Sequence, residues 1–245
     1  MTPSLLIVFM NAKGGRDDEF NDWYTNVHIR DVMRLPGSTA VQRFRLGSPS
    51  YADKSAHRYL ALYEIADRKA CIQGHLERLY TPRMPISPAG DFSDLQPAFC
   101  DLVHDWNGPV TAVEGPVIAA RLKRTGDEEA GLASAWASLC SRLAANHALT
   151  AAQLFREGDE QLGEGRVSHP HVALFRVGDL GAAAQASKAI QASWENAIVA
   201  GYAPLFPRLT AAEVLDPTPE AQAIEAQARA ALGEGARNSR GKVGA

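Results

Sequence analysis

The residues of this chain best equipped for chemistry lie near its start. Phe20, Tyr24 and His28 are spaced i, i+4 and i+8, with Trp23 beside them and Asn21 and Asp31 flanking the same stripe. A helix over this segment therefore carries a phenol, an imidazole and a carboxylate along one face. A neutral imidazole in a cleft can take a proton from an acidic carbon or a phenol, and a tyrosine hydroxyl can hold the oxyanion that forms. The competing reading makes Tyr24 and His28 packing residues, with the imidazole satisfied by a backbone carbonyl.

Further along, Arg43 and Arg45 alternate with Phe44 and so share a strand face, where Arg43 is placed to grip a carboxylate or phenolate. Tyr59 and Tyr63 share a face of the next strand and can line a pocket for an aromatic ring. His104, in phase with Trp106 on a later strand, is the sheet residue expected to face His28. His57 and His75 read as peripheral. His169 and His171 flank Pro170 on one face, but no third ligand has a spacing that would complete a metal site, so no metal is expected.

The elements that must position these residues occur twice. Residues 40–47 (AVQRFRLG) return as 151–158 (AAQLFREG), identical at five of eight positions. Residues 60–67 return as 172–179 with nearly the same offset, 112 against 111. Conserved order and spacing argue for a duplication over a chance likeness of alternating strands. Each copy reads as βαββαβ. The first has strands over 5–11, 40–46, 58–65 and 99–106, with helices over 17–35 and 67–80. The second has strands over 117–123, 151–156, 171–177 and 211–215, with helices over 127–145 and 182–199. The expected units are 1–107, a second repeat over 113–216 and a tail from 217. Thr218 as N-cap and Pro219 at the first helical position start a helix to Leu232, ahead of a flexible end. The class is α+β: tandem ferredoxin-like repeats whose two four-stranded antiparallel sheets cover one another within one chain.

Forty-six per cent hydrophobic and 22% charged residues allow a sizeable core, and a net charge of -3 gives no electrostatic reason to expect nucleic acid or an anionic membrane. No apolar run reaches the roughly 20 residues needed to span a bilayer. The three cysteines are too few and too scattered for a disulfide framework, which suits a reducing cytoplasm. Phosphate-binding glycine loops, nucleophile elbows and zinc-protease motifs are missing from the sequence.

The stretch 19–32 (EFNDWYTNVHIRDV), followed by Leu35-Pro36-Gly37, Arg43-Phe44-Arg45 and Tyr59-Leu60-Ala61-Leu62-Tyr63-Glu64, resembles the EthD-like branch of the dimeric α/β barrel superfamily. The likeness covers residues 5 to about 106; the first helix of the second copy lacks the signature. It implies a pocket between sheet and helices for small, often aromatic molecules, and the residue reading above then makes His28 and Tyr24 the expected catalytic pair. Arg43, Tyr59, Tyr63, Trp23 and His104 would contact the substrate.

Three functions follow as expectations. The first is a cofactor-independent lyase, decarboxylase or isomerase in aromatic compound catabolism, acting by histidine acid/base chemistry. The second is a non-catalytic binding or accessory protein for an oxygenase pathway. The third is an oxygenase or haem-linked enzyme with His28 or His104 as iron ligand. Because the second copy replaces a partner subunit, a monomer or a homodimer is equally admissible.

Overall fold

The computed structural model describes residues 4–47, 52–123, 131–163 and 169–232. Strand β1 (Ser4–Ala12) leads into α1 (Asp17–Trp23), a π-helical turn (Tyr24–His28) and α2 (Ile29–Met33), which run as one continuous helix. Asp17, Asp18 and Glu19 in its first turn complement the helix dipole. Pro36-Gly37 then turns the chain: Gly37 has φ +85°, and a Cβ there would collide with the Asp67 carbonyl. Strands β2 (Ser38–Leu46) and β3 (Tyr59–Ile65), helix α3 (Arg68–Arg78) and the long β4 (Gly90–Trp106) complete the first copy.

The second copy follows a 3-10 turn at Val110–Ala112 and consists of β5 (Val117–Leu122), α4 (Leu132–Asn146), β6 (Leu149–Glu157), β7 (His171–Val177), α5 (Leu180–Ser193) and β8 (Ile198–Pro204). The expected start of α4 at 127 lies outside the described residues, as does the tail beyond 232. Two expectations fail here. The helix expected to reach Val199 stops at Ser193, and the closing strand is β8 rather than 211–215. Residues 211–215 form the short helix α6 (Ala211–Leu215), because Thr210 and Glu213 make a capping box. Two residues of strand, β9 (Leu209–Thr210), precede it, and α7 (Pro219–Ala231) ends the described chain, with Thr218 capping it through the Ala221 amide.

Eight strands close on themselves in the order β3-β1-β4-β6-β7-β5-β8-β2, with β2 pairing again with β3; β9 adds to β2. The duplication is visible in the register. Phe44 pairs with Leu60 and Arg43 with Ala61 in the first copy, as Phe155 pairs with Val172 and Leu154 with Ala173 in the second. Each of these hairpins has its irregularity at the matching place, Ser38/Ala40 and Leu149/Ala151. The copies join at two equivalent seams, β4 with β6 and β2 with β8. Strand β4 is longer than the sequence suggests because its first part pairs with β1 and its last part with β6.

Ile7, Phe9, Phe44, Leu62, Phe155 and Leu174 fill the barrel. The alternate residues of each strand face outward into two separate helix-covered cores. The first of these also takes in Val214 of α6 and Ala228 of α7, so the C-terminal helices pack on the first repeat. Within the described residues no helix is long and apolar enough to cross a membrane.

Candidate functional site

Strand β2 puts Arg43 on the outward face of the first sheet, under the α1 helix. The residue is 0% exposed, and no carboxylate is bonded to it among the described residues. Its Nη1 donates to Thr25 Oγ1 at 3.0 Å. The guanidinium carbon lies 4.3 Å from the Tyr24 ring centroid, 4.8 Å from that of Tyr59 and 5.0 Å from that of Phe20. Nε and Nη2 are buried without a hydrogen-bond partner. Burial lowers the Arg43 pKa to about 10, against the pull of Tyr24, Tyr63 and Tyr59, so the charge persists at neutral pH.

The aromatic residues around it are tied into one network. The Tyr63 hydroxyl donates to that of Tyr24 at 3.3 Å. Tyr59 donates to Asp17 at 2.6 Å and accepts from Asn21 at 2.9 Å. Trp23 donates through Nε1 to the Pro85 carbonyl at 2.9 Å, pinning the helix to the proline-rich loop. His28 sits against Trp23 and Tyr24, with ring centroids 4.8 and 4.9 Å apart. Although His28 keeps part of its surface exposed, its Nδ1 is sealed from solvent and unpartnered, as is Asn21 Oδ1.

Burial, with His75 and Arg43 nearby, drives the His28 pKa down to about 3, so the imidazole is neutral. It suits accepting a hydrogen bond more than holding a proton, unless a bound anion raises its basicity. The Tyr24 and Tyr63 hydroxyls are pushed up by burial and stay protonated.

The segment that carries Tyr24 and His28 is itself irregular. Its hydrogen bonding widens to i→i+5 at Tyr24–His28, with the Ile29 amide donating to the Tyr24 carbonyl. A π turn of this kind lengthens the helix by a residue, re-aims the side chains after it, and recurs at functional sites. No pattern in the sequence announces it.

Tyr24, His28, Arg43, Tyr59, Tyr63 and Trp23 are thus brought together. His104 is not. It pairs with Leu154, which belongs to the second helix-covered core, and directly opposed residues share a sheet face. His104 therefore faces α4, on the far side of the seam from His28. Arg45, in phase with Arg43, ends up exposed beside Asp17, and its counterpart Arg156 is exposed too.

His75, expected at the periphery, is buried under α3 near enough to weaken His28 as a base, with its own pKa lowered to about 4 by burial. His57 is likewise buried, with Nε2 on Asp94 at 2.8 Å from the carbonyl and 3.1 Å from the carboxylate. The helical spacing of Cys71 and His75 was the available clue to the inward face of α3. Among the described residues no group of three potential metal ligands converges, His169 and His171 included.

An eight-stranded antiparallel barrel flanked by two helix layers, with a polar cluster under one of them, is the dimeric α/β barrel fold, closed here within a single chain. The solved structures agree. The chain is similar to an anthrone oxidase-like protein, with TM-score 0.61 and 10% identity over 88% of this chain and 96% of that one. It is also similar to a candidate monooxygenase of Fusobacterium nucleatum subsp. nucleatum, with TM-score 0.56 and 9% identity over 85% and 94%. At these identities the likeness is one of fold. No protein-family model matches the chain, and no curated protein matches it.

Proposed function

We propose that the chain is an oxygenase-type enzyme acting on a small phenolic or enolisable aromatic compound, and that the Arg43–Tyr24–His28 cluster is its site. The carrying observation is Arg43, a guanidinium buried without a carboxylate and with two donor nitrogens unused. A buried unpaired charge costs several kcal/mol, and the fold does not demand it, because Leu154 occupies the equivalent register position in the second copy. An anionic oxygen on a ligand would satisfy it.

In this reading Nε and Nη2 of Arg43 hold the oxygen of an enol or phenol as its proton leaves, and the rings of Phe20, Tyr24 and Tyr59 flank the substrate's aromatic plane. His28 Nδ1, made more basic by the anion forming beside it, takes the departing proton, and Asn21 Oδ1 accepts a hydrogen bond from a neighbouring hydroxyl. The electron-rich anion then reacts with dioxygen. For a methylene next to the ring system, R₂CH₂ + O₂ gives R₂C=O + H₂O, with one oxygen atom retained and the other leaving with both hydrogens. The names of the two similar structures favour dioxygen as second reactant over an isomerase or lyase outcome. Three buried free thiols fit a cytoplasmic setting.

The test is oxygen uptake by the purified protein with a hydroxylated tricyclic ketone bearing an acidic methylene. Expected are uptake and carbonyl formation in a 1:1 ratio, at least 100-fold slower in Arg43→Leu. Equal rates in the two proteins would remove Arg43 from the mechanism, and product formed equally fast under nitrogen would restore the isomerase or lyase reading. The weak basicity of His28 favours a second reading, a carrier of such compounds, which requires a ligand-induced thermal shift without oxygen uptake.

A further inference from the structure

We propose that helix α7 is a movable cover over the π turn, clasped shut by ion pairs, and that ligand reaches the Arg43–His28 cluster when this helix lifts. The inference rests on the site assignment just made. Helix α7 packs along α1 and the π turn. No strand pairs with it, so lifting it breaks none of the barrel's hydrogen bonds. Its apolar anchoring is slight: Ala228 is the buried apolar residue within it, Leu232 packs just beyond its end, and Ile224 faces solvent at 49% exposure.

What fastens it is ionic. Glu225 accepts from both terminal nitrogens of Arg34 at 2.6 and 2.7 Å and from Arg229 at 3.0 Å, with Arg30 at 4.0 Å. Arg229 reaches across to Asp31, which also lies 3.7 Å from Arg34. Three of these groups, Arg30, Asp31 and Arg34, belong to the segment immediately after His28, so the clasp and the site share one stretch of helix.

The clasp is also incomplete. Asp31 is 3% exposed, yet its Oδ2 makes no hydrogen bond, and Arg30 Nε, 4.0 Å from Glu225, makes none either. Burial outweighs both arginines and lifts the Asp31 pKa to about 6, so at neutral pH the docked helix encloses a poorly solvated carboxylate. A cover held by imperfect charge pairs, over a cluster whose polar atoms are sealed from solvent, can open without disturbing the barrel.

Hydroxyl-radical footprinting and amide hydrogen exchange of the full chain test this without any ligand. The tryptic peptide 17–30 carries Trp23, Tyr24 and His28 together, and Trp136 and Trp194 of the second repeat report on the rest of the fold. In Glu225→Lys, which sets a cation among three arginines, labelling of peptide 17–30 should rise at least threefold. Exchange over 219–231 should rise at least tenfold, with Trp136 and Trp194 unchanged. Faster exchange in 219–231 with no added labelling of 17–30 would mean that α7 covers nothing. No change in either would mean that the ion pairs do not hold it. If all the tryptophans become reactive together, the reversal has unfolded the chain, and Arg229→Gln is judged by the same criteria. A failed search for turnover would count against the proposed reaction and leave this result intact.

Discussion

The two repeats share a backbone plan and differ in what they hide beneath their first helix. In the first, Phe20, Tyr24 and His28 lie over Arg43. In the second, Trp136, Leu139, Cys140 and Leu143 of α4 pack with Leu154, and Trp136, Phe175 and Trp194 form an aromatic cluster with ring centroids 5.4 to 6.4 Å apart. The apolar version shows what the architecture needs; the polar version shows what has been added to it.

A second contrast sharpens the first. Arg176 is as deeply buried as Arg43, but its Nε donates to the Val110 carbonyl at 2.6 Å, Nη1 to the Gly115 carbonyl and Nη2 to Gln42 at 2.6 Å. Arg176 is a fully bonded clamp on the segment between the repeats. Arg43 is not fully bonded, and that is why it reads as a binding group.

Breaking Arg176 should have the largest effect. Arg176→Leu strands two carbonyls and an amide oxygen, and chemical denaturation should show a loss of about 3–5 kcal/mol. Leu154→Arg, which installs the first repeat's charge in the second, buries it among apolar side chains and should cost about 3 kcal/mol in the same assay. Arg43→Leu makes the first repeat resemble the second, and it should leave stability within about 1 kcal/mol of the wild type or raise it; a loss as large as that of Arg176→Leu would make Arg43 structural.

Acid should also affect the repeats differently. The pKa values of His28 and His75 fall to about 3 and 4, below the ordinary 6.5. Their neutral burial therefore contributes stability that is complete above pH 6.5 and is lost as pH drops through 4 and 3. Asp31, raised to about 6, acts oppositely: its contribution is present below about pH 4 and fades as pH rises through 6. Denaturation followed against pH should show a His28→Asn, His75→Asn double variant with a flatter acid limb, and Asp31→Asn with a smaller decline between pH 4 and 6. A small, local effect belongs to Thr210→Ala, which removes the α6 capping box and should lower stability by about 1 kcal/mol.

Much of the fold was legible because duplication prints itself on the strands. Asp67 and Asp179, one offset apart, cap α3 and α5 through the amides of Ala70 and Ala182. The structure departs from the sequence pattern where a capping signal competes with apolar residues or where distant elements decide. Thr210 and Glu213 spell a helix start that the apolar residues between and after them disguise as a strand. The phase of His104 with Trp106 was correct, but β4 crosses from one sheet to the next, so a residue counted with the first repeat faces the second.

Of the site, the residue types on α1, β2 and β3 were readable from periodicity, since one face of each lines the same core. The π turn, the stranded nitrogens of Arg43 and the burial of His75 depend on elements far apart in sequence, which periodicity within one segment does not report.

The paired seams also bear on how the chain is made. Strand β2 finds its β8 partner far along the chain, with Phe44 opposite Pro204, Arg45 opposite Ala203 and Leu46 opposite Tyr202, while the final residues of β4 wait for β6. During synthesis the first repeat therefore emerges with its barrel-facing surface uncovered and two strand edges unmatched, that of β4 until β6 follows and that of β2 until β8 does. Long-range pairing of this kind closes slowly and leaves an interval open to intermolecular strand pairing. A nascent chain halted before β8 is the species most exposed to aggregation and to capture by chaperones.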